Sequence, residues 1–298
     1  MTFMDINSIS EALKLVSDFD ADPNPDKDKE FLFTEALEYL IHETGDPEYM
    51  FQLGGFYYDQ KRFDLALKYY KTAAEKGNLD AINGLGYIWY YGRTGTVDYE
   101  KAFRYYSQAA EMGNLNSAVK VADMYKNGYF VEKDYEKYKS MIRSLYTQVK
   151  DAKFLGEPLP EVFTRLSRIC REEGDIPTAV ELLQDARPFL EQRMMNSPFF
   201  GTLNQLKWLV DDLYSMVDFD SDYFGLYDLF WLLKEPKKVR FMYEEKYHNI
   251  EAAAAESEPE ICFDGKWNRT CSDFLAKAGI DGERLTAIYD ELYGFEVI

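Results

Sequence analysis

The sequence predicts a mainly α-helical chain, in which a solenoid of repeated helix hairpins is followed by a small α+β C-terminal module. Three observations carry this prediction. The stretch RYYSQAAEMGN (104–114) restates KYYKTAAEKGN (68–78) 36 residues later, with seven of eleven positions identical. Within each copy, apolar and small residues recur at the three-and-four spacing of one helix face. Beyond MMNSPFFG (194–201) the period vanishes and short alternating runs take over.

The N-terminal elements come first. SISE (8–11), ahead of an apolar-periodic run, reads as a capping box that opens a short helix. FDADPNPDKDKE (19–30), with two prolines and many charges, reads as a linker. Residues 1–29 are therefore expected to be a capping helix and linker over the open end of the solenoid, which spans 30–195. EFLFTEALEYLIHETGD (30–46) reads as a lone second helix of a hairpin, or as the second half of a degenerate first unit.

The repeats have a helical cause. Gly-Asn closes segments at 77–78 and 113–114, with a weaker Gly45–Asp46 upstream. Three residues after each, a new phrase begins, pairing an apolar with a small residue (Leu53–Gly54, Leu85–Gly86, Val121–Ala122) before an aromatic at Tyr57, Trp89 or Tyr125. Leu85 and Trp89, four apart, share a face with Gly86 beside them, and a residue so small lets a second helix come close. Ala102, Tyr105, Tyr106, Ala109 and Ala110 mark the apolar stripe of the second helix, which Gly113 ends in the left-handed region. Such a hairpin cannot bury its own apolar face, so neighbouring hairpins must stack.

These residues resemble the Sel1-like repeat, a relative of the tetratricopeptide repeat. The likeness covers residues 30–195. Residues 79–114 follow the pattern nearly throughout, while 47–78 do so with a loop four residues shorter. Residues 115–150 keep DYEK (134–137), Tyr125 and Gly128 but carry Leu145–Tyr146 where Ala109–Ala110 stood, as a terminal or distorted unit would. After LGEPLP (155–160), Phe163, Leu166, Ser167, Cys170, Gly174–Asp175, Ala179, Leu183 and Ala186 fall at tetratricopeptide spacing. The resemblance implies that the first helix of each hairpin lines a groove. Carried across, the groove positions are Phe51, Gly55 and Tyr58; Asn83, Tyr87 and Tyr90; Val119, Asp123 and Lys126; and Arg168 and Arg171. Two assignments stay open for Tyr87 and Tyr90. They are interface anchors, for which tyrosine is well suited, or they pack under the next repeat or the C-terminal module.

Residues 196–298 suggest no family. TLNQLKWLVDDLYSMV (202–217) and SDYFGLYDLFWLLK (221–234) predict two helices, the second stopped by Pro236. KVRFMY (238–243), the segment around YHNIEA (247–252) and EICF (260–263) predict strands, with Asp264–Gly265 as a hairpin turn. Two C-terminal helices are expected, one capped by Ser272 and one running from Asp281 to a stop at Gly294.

Composition narrows the function. A formal charge of −19 over 298 residues argues against nucleic-acid and anionic-membrane partners. MTFMDINSIS lacks the basic and apolar regions of a signal peptide, and no run of about 18 apolar residues follows, so a cytoplasmic location is expected. Cys170, Cys262 and Cys271 form neither a disulfide framework nor a metal cluster, and His42 and His248 lie outside any metal-spacing motif. DFDSDYFG (218–225) spaces Asp218, Asp220 and Asp222 like a calcium loop but has Tyr223 and Leu229 where Gly and Glu are required. GRTG (92–95) lacks the Gly-Lys-Ser/Thr ending of a phosphate loop. No catalytic, cofactor or metal residues are expected. The sequence reads as a non-catalytic adaptor that binds a protein or peptide through Phe51, Tyr58, Asn83, Tyr87, Tyr90, Lys126, Arg168 and Arg171. The alternative is an enzyme or small-ligand sensor with its site in 196–298, near His248, Cys262 and Trp267.

Overall fold

The structure, a computed structural model, describes residues 6–22, 25–150, 160–196, 200–218, 225–254, 259–288 and 291–298. The chain divides into two compact units, 1–145 and 146–298, with the division inside the eighth helix. It is mainly α-helical, with helix hairpins followed by antiparallel strands.

The first unit is built from α1 (Ile9–Asp20), α2 (Lys27–Thr44), α3 (Pro47–Asp59), α4 (Phe63–Glu75), α5 (Leu79–Tyr90), α6 (Tyr99–Glu111), α7 (Leu115–Asn127) and the start of α8 (Tyr135–Val149). Ser8 caps α1 by accepting from the Glu11 backbone N–H. The sequence linker is shorter than expected, because α1 runs on to Asp20 and α2 starts at Lys27 under an Asp26 cap.

Each hairpin closes through one device used twice. Gly77 and Gly113 take φ of +86° and +99°, and Asn78 and Asn114 donate their backbone N–H to Ala73 and Ala109, satisfying carbonyls at the helix end. The Asn side chains then work at both ends. Asn78 Oδ1 accepts from the Ala81 N–H and Asn114 Oδ1 from the Ser117 N–H, capping the next helix. Their Nδ2 groups donate back to Glu48 and Asp80, in the first turn of the preceding hairpin. Asparagine alone among capping residues offers both an acceptor and a donor amide, which explains its return at this position.

Close packing inside the hairpins falls to tyrosine on glycine. The Tyr70 ring of α4 sits between Gly54 of α3 and Gly84 of α5, with one edge toward each, and added Cβ atoms would stand 2.6 and 2.8 Å from it. One period later, Tyr106 of α6 covers Gly86, where a Cβ would stand 2.4 Å away. Both rings are buried.

The second unit holds the rest of α8, α9 (Pro160–Glu172), α10 (Ile176–Asn196), α11 (Phe200–Tyr214), a 3-10 turn at Leu226–Asp228, α12 (Leu229–Leu232), β1 (Lys238–Tyr243), β2 (Lys246–Ala253), β3 (Glu260–Phe263), β4 (Lys266–Asn268), α13 (Cys271–Lys277), β5 (Gly279–Ile280), β6 (Glu283–Arg284) and β7 (Tyr293–Val297). α9 and α10 form a further hairpin closed by Gly174 at φ +87°. Strands β4-β3-β2-β1-β7 make an antiparallel sheet, and β5-β6 a separate two-stranded ribbon. Val239, Phe241, Ile250, Ile261 and Phe263 point into its core, where Phe263 meets Phe274 of α13.

Four sequence expectations need correction here. The predicted last helix does not form; residues 283–284 and 293–297 are strands, and Gly294 lies within β7 instead of ending a helix. Buried Leu285, Ile288 and Leu292 copy helical spacing, but the edge of β1 offers the backbone a pairing partner and takes β7. The cap of α13 is Thr270, which accepts from the Asp273 N–H; Ser272 lies inside the helix. Of the helix expected at 221–234, the described residues, from Gly225 on, form the 3-10 turn and the single turn of α12.

LGEPLP (155–160), apart from Pro160, lies outside the described residues, as do Asp220 and Asp222 of the calcium-like run.

Candidate partner-binding face

The first helices of the hairpins, α3, α5 and α7, carry most of the residues expected to bind a partner. The structure gathers Tyr87 and Tyr90 into one aromatic cluster with Tyr91, and Arg93 of the loop that follows α5 links Tyr58 to it. The loop is aimed by its own backbone: Arg93 N–H donates to the Ile88 carbonyl, and Asp98 N–H donates to Trp89 before Asp98 caps α6. Arg93 thus leaves the loop over α3. Its Nε donates to the Tyr58 hydroxyl at 2.9 Å, and its guanidinium lies over the rings of Tyr58, Phe63 and Tyr91 at 5.3–5.6 Å.

On the other side of Tyr91 stands α7. Lys120 reaches across from it to donate to the Tyr91 hydroxyl at 3.2 Å. Its ammonium lies 5.0, 5.6 and 5.5 Å from the rings of Tyr87, Tyr90 and Tyr91, within cation–π range of all three. Burial works to lower the Lys120 pKa, but the tyrosines and Asp123 outweigh it and the net shift is upward, so the side chain stays charged. Burial also pushes the Tyr90 and Tyr106 phenols up, which keeps them neutral O–H groups. Tyr90 meets Tyr99 and Tyr129 edge-on or tilted, and those two stack at 4.4 Å.

The other expected residues are placed as follows. Half-buried Phe51 stacks on Tyr70 at 5.7 Å. Asn83 accepts from the Ser117 hydroxyl at 2.8 Å, tying α5 to α7. Lys126 lies over the Tyr138 ring at 5.1 Å, Asp123 and Gly55 are half-buried, and Val119 is buried. Arg168 and Arg171 are in the second unit, where both pair with Asp212 of α11, at 2.8 and 3.8 Å. Sequence reasoning passed over Tyr91, Arg93 and Lys120. Arg93 was visible as the cation in the GRTG loop. Lys120 was visible as a lysine standing one period after Gly84.

In the second unit the charged residues satisfy one another. Asp228 is fully buried, bonded by both carboxylate oxygens to Arg187 at 2.8 Å, by the Tyr214 hydroxyl at 2.9 Å and by the Gly225 N–H at 2.7 Å. Arg187 also donates to Glu191, whose pKa burial raises against the pull of the guanidinium. His248 is buried beside Phe241 and Phe263, with Nδ1 2.6 Å from Asp264 and no hydrogen-bond partner for Nε2 among the described residues. A cleft of about 440 Å³ opens nearby, with Lys266, Lys277, Arg284 and Glu283 around Phe263; His248 is not in its wall. Trp267 is exposed, and Cys262 faces it from β3 on the outer side of the sheet. No group of three or more potential ligands gathers as a metal site among the described residues, and no described helix is long and apolar enough to cross a membrane.

Comparison with known proteins places the first unit in context. The Sel1 repeat family matches residues 45–78, 79–114 and 116–137. The third match ends soon after α8 begins, ahead of Leu145–Tyr146, which stand in place of the small-residue pair. No curated protein matches the chain. Among solved structures, a Sel1 repeat protein from Oxalobacter formigenes is 16% identical, with 71% of this chain and 86% of that one covered at a TM-score of 0.49. A protective antigen of uropathogenic Escherichia coli displaying an SLR fold is 16% identical, with 76% and 53% covered at 0.48. A thermophilic TPR protein of Thermus thermophilus is 16% identical, with 62% and 99% covered at 0.35.

Proposed function

We propose that this chain, which contains three Sel1 repeats, is a non-catalytic cytoplasmic adaptor that holds a protein or peptide segment against the tyrosine face of α3, α5 and α7. Repeats of this kind are generally protein-interaction modules. The observation that carries the reading is the cluster of half-buried Tyr87 and Tyr90 with Tyr91, which is 44% exposed and to which Arg93 links Tyr58. Tyrosine supplies large contact area with few rotatable bonds, which suits an interface anchor. Cys170, Cys262 and Cys271 are free thiols. The repeat array over 30–195 then carries recognition, and 196–298 serves as a cap or second contact surface.

The test is quantitative affinity capture with the full chain, in parallel with Tyr58→Ser/Tyr91→Ser. Both rings lie toward the surface side of the cluster, so the fold should survive their loss. Depletion of the same partners by about tenfold or more is expected if these are anchors. An unchanged partner set captured by a variant of unaltered stability would remove the assignment.

A second reading has its own observation. The cleft beside Phe263, with its three basic side chains, supports a small-ligand site in the C-terminal module. Lys266→Glu/Arg284→Glu, followed by a screen for thermal stabilisation by carboxylate and phosphate metabolites, separates the readings. Stabilisation of the wild type alone would favour the cleft, and stabilisation of neither protein would end it.

A further inference from the structure

We propose that the tyrosine face takes an acidic peptide segment, whose carboxylates are bound by Arg93 and Lys120. This rests on the protein-interaction reading above and adds the partner's chemistry.

Acidic residues outnumber basic ones in this chain by 53 to 34, so a cation has many carboxylates to choose from. Some neighbouring cations do so: Lys101 pairs with Asp98 and Arg104 with Glu100. Arg93 and Lys120 do not. Among the described residues, neither has a carboxylate within ion-pair distance, and both are held by aromatic rings and phenol oxygens instead. Asp123, one turn along α7, adds to the upward shift of the Lys120 pKa. Ring faces hold a cation in place without cancelling its charge. The phenol bonds leave further donors in hand: Arg93 uses only Nε, and Lys120 only one of three N–H groups.

Position supplies the second argument. Both cations lie over the ring of Tyr91, so one segment passing that ring meets both. Lys120 stands one period after Gly84, the residue over which Tyr70 closes in the preceding repeat. The same position holds Gln52 and Gly84 in the two preceding repeats, and here it holds a lysine with a long, entropically costly side chain among Tyr87, Tyr90 and Tyr91. Departures from a local rule without a packing benefit mark functional positions.

A partner carboxylate arriving here gains charge-assisted hydrogen bonds from preordered donors, with apolar side chains against the rings. A basic segment meets unneutralised positive charge. A long polyanion is repelled by the net charge of −19.

The test uses the full-length chain. Random decapeptides displayed on phage are selected on it, the Asp and Glu content of enriched sequences is counted, and the strongest binder is titrated as a fluorescein-labelled peptide. An excess of acidic residues is expected, although the protein itself is strongly acidic. Arg93→Gln and Lys120→Met should each weaken binding by about tenfold or more. Arg93→Lys, which keeps the charge, should retain most of the affinity. Raising salt should weaken the wild-type complex and flatten for the double variant.

Enriched peptides without acidic excess, lost on Tyr58→Ser, would end the acidic assignment and leave the interaction face standing. Acidic peptides indifferent to both substitutions would place the carboxylates elsewhere and overturn the proposal. No enrichment at all would overturn this proposal and the interaction reading together. If Lys120→Met lowers the urea midpoint, the exposed Arg93 series decides alone.

Discussion

Two adjacent glycines in α3 show how finely single residues are specified. Gly54 sits under the Tyr70 ring, and a Cβ there would stand 2.6 Å from it; at Gly55 the nearest atom, the Tyr70 hydroxyl, would be 3.8 Å away. Neither has the positive φ that only glycine accepts easily, so helix propensity favours alanine at both by up to about 1 kcal/mol. Contact decides the sign. Gly55→Ala should raise stability by about 0.5–1 kcal/mol, since ordinary van der Waals contact costs nothing. Gly54→Ala should lower it by about 1–3 kcal/mol, because a buried ring held between Gly54 and Gly84 cannot retreat. Urea unfolding of the two variants checks the pair, and equal shifts would contradict the contact geometry. The same logic separates the two uses of tyrosine in this unit. Tyr70 and Tyr106 are core, while Tyr58 and Tyr91, set by Arg93, form the surface.

At the scale of elements, hairpins were legible because everything that specifies them is local. Stopping Gly77 and Gly113 and the alanine-tyrosine stripe lie within one period of each other, and the structure uses both as expected; the capping of the next helix by Asn78 and Asn114 comes from the structure. Strands β1 and β3 likewise follow KVRFMY and EICF from alternation alone. The C-terminal stretch was misread because Leu285, Ile288 and Leu292 space like a helix, whereas β7 exists through pairing with β1 some fifty residues earlier in the chain. The partner face was half legible. Tyr58, Tyr87 and Tyr90 came from the repeat, but Lys120 reaches them from the neighbouring hairpin, and no spacing within one hairpin reveals that. The Arg187–Asp228–Glu191 network was invisible for the same reason, and it yields a prediction. Burial raises the Glu191 pKa, so the folded state holds that proton more tightly than the unfolded chain does. Its adverse contribution is absent below the ordinary glutamate range and grows as pH rises through that range. Glu191→Gln should therefore gain stability relative to wild type from pH 4 to pH 7, measured by urea midpoints. A pH-independent difference would show that Glu191 titrates as it does in the unfolded chain. Asp228→Ala should instead cost about 3 kcal/mol or more, since it strips a buried arginine of its bidentate partner.

For the whole molecule, the division at 145/146 separates two cores of different make. The first is a stack of hairpins in which each touches its neighbours, so its stability is a sum of local interfaces. The second joins a hairpin to a sheet whose strand order brings β7 beside β1, and such non-local pairing forms as a unit. The tyrosine face proposed for the partner lies in the first, whereas Arg168 and Arg171 lie in the second. Tryptophans happen to report on the two separately: Trp89 is in the first unit, and Trp208, Trp231 and Trp267 are in the second. Trp208 and Trp267 are more than half exposed, so replacing them by phenylalanine disturbs little, and Trp231 is a partly buried ring for which phenylalanine is the nearest apolar substitute. In the triple variant the only tryptophan emission comes from Trp89, half-buried under the Lys101 ammonium at 4.1 Å. Its loss in urea follows the repeats, while far-ultraviolet ellipticity follows both units. Two transitions with separate midpoints are expected, because coincident probes are the mark of one cooperative unit. An acidic peptide selected on the tyrosine face should move the Trp89 transition to higher urea and leave the other component in place, by mass action on the unit that binds it. Coincident curves, or a peptide that shifts both components equally, would show that the repeats and the C-terminal module unfold as one body.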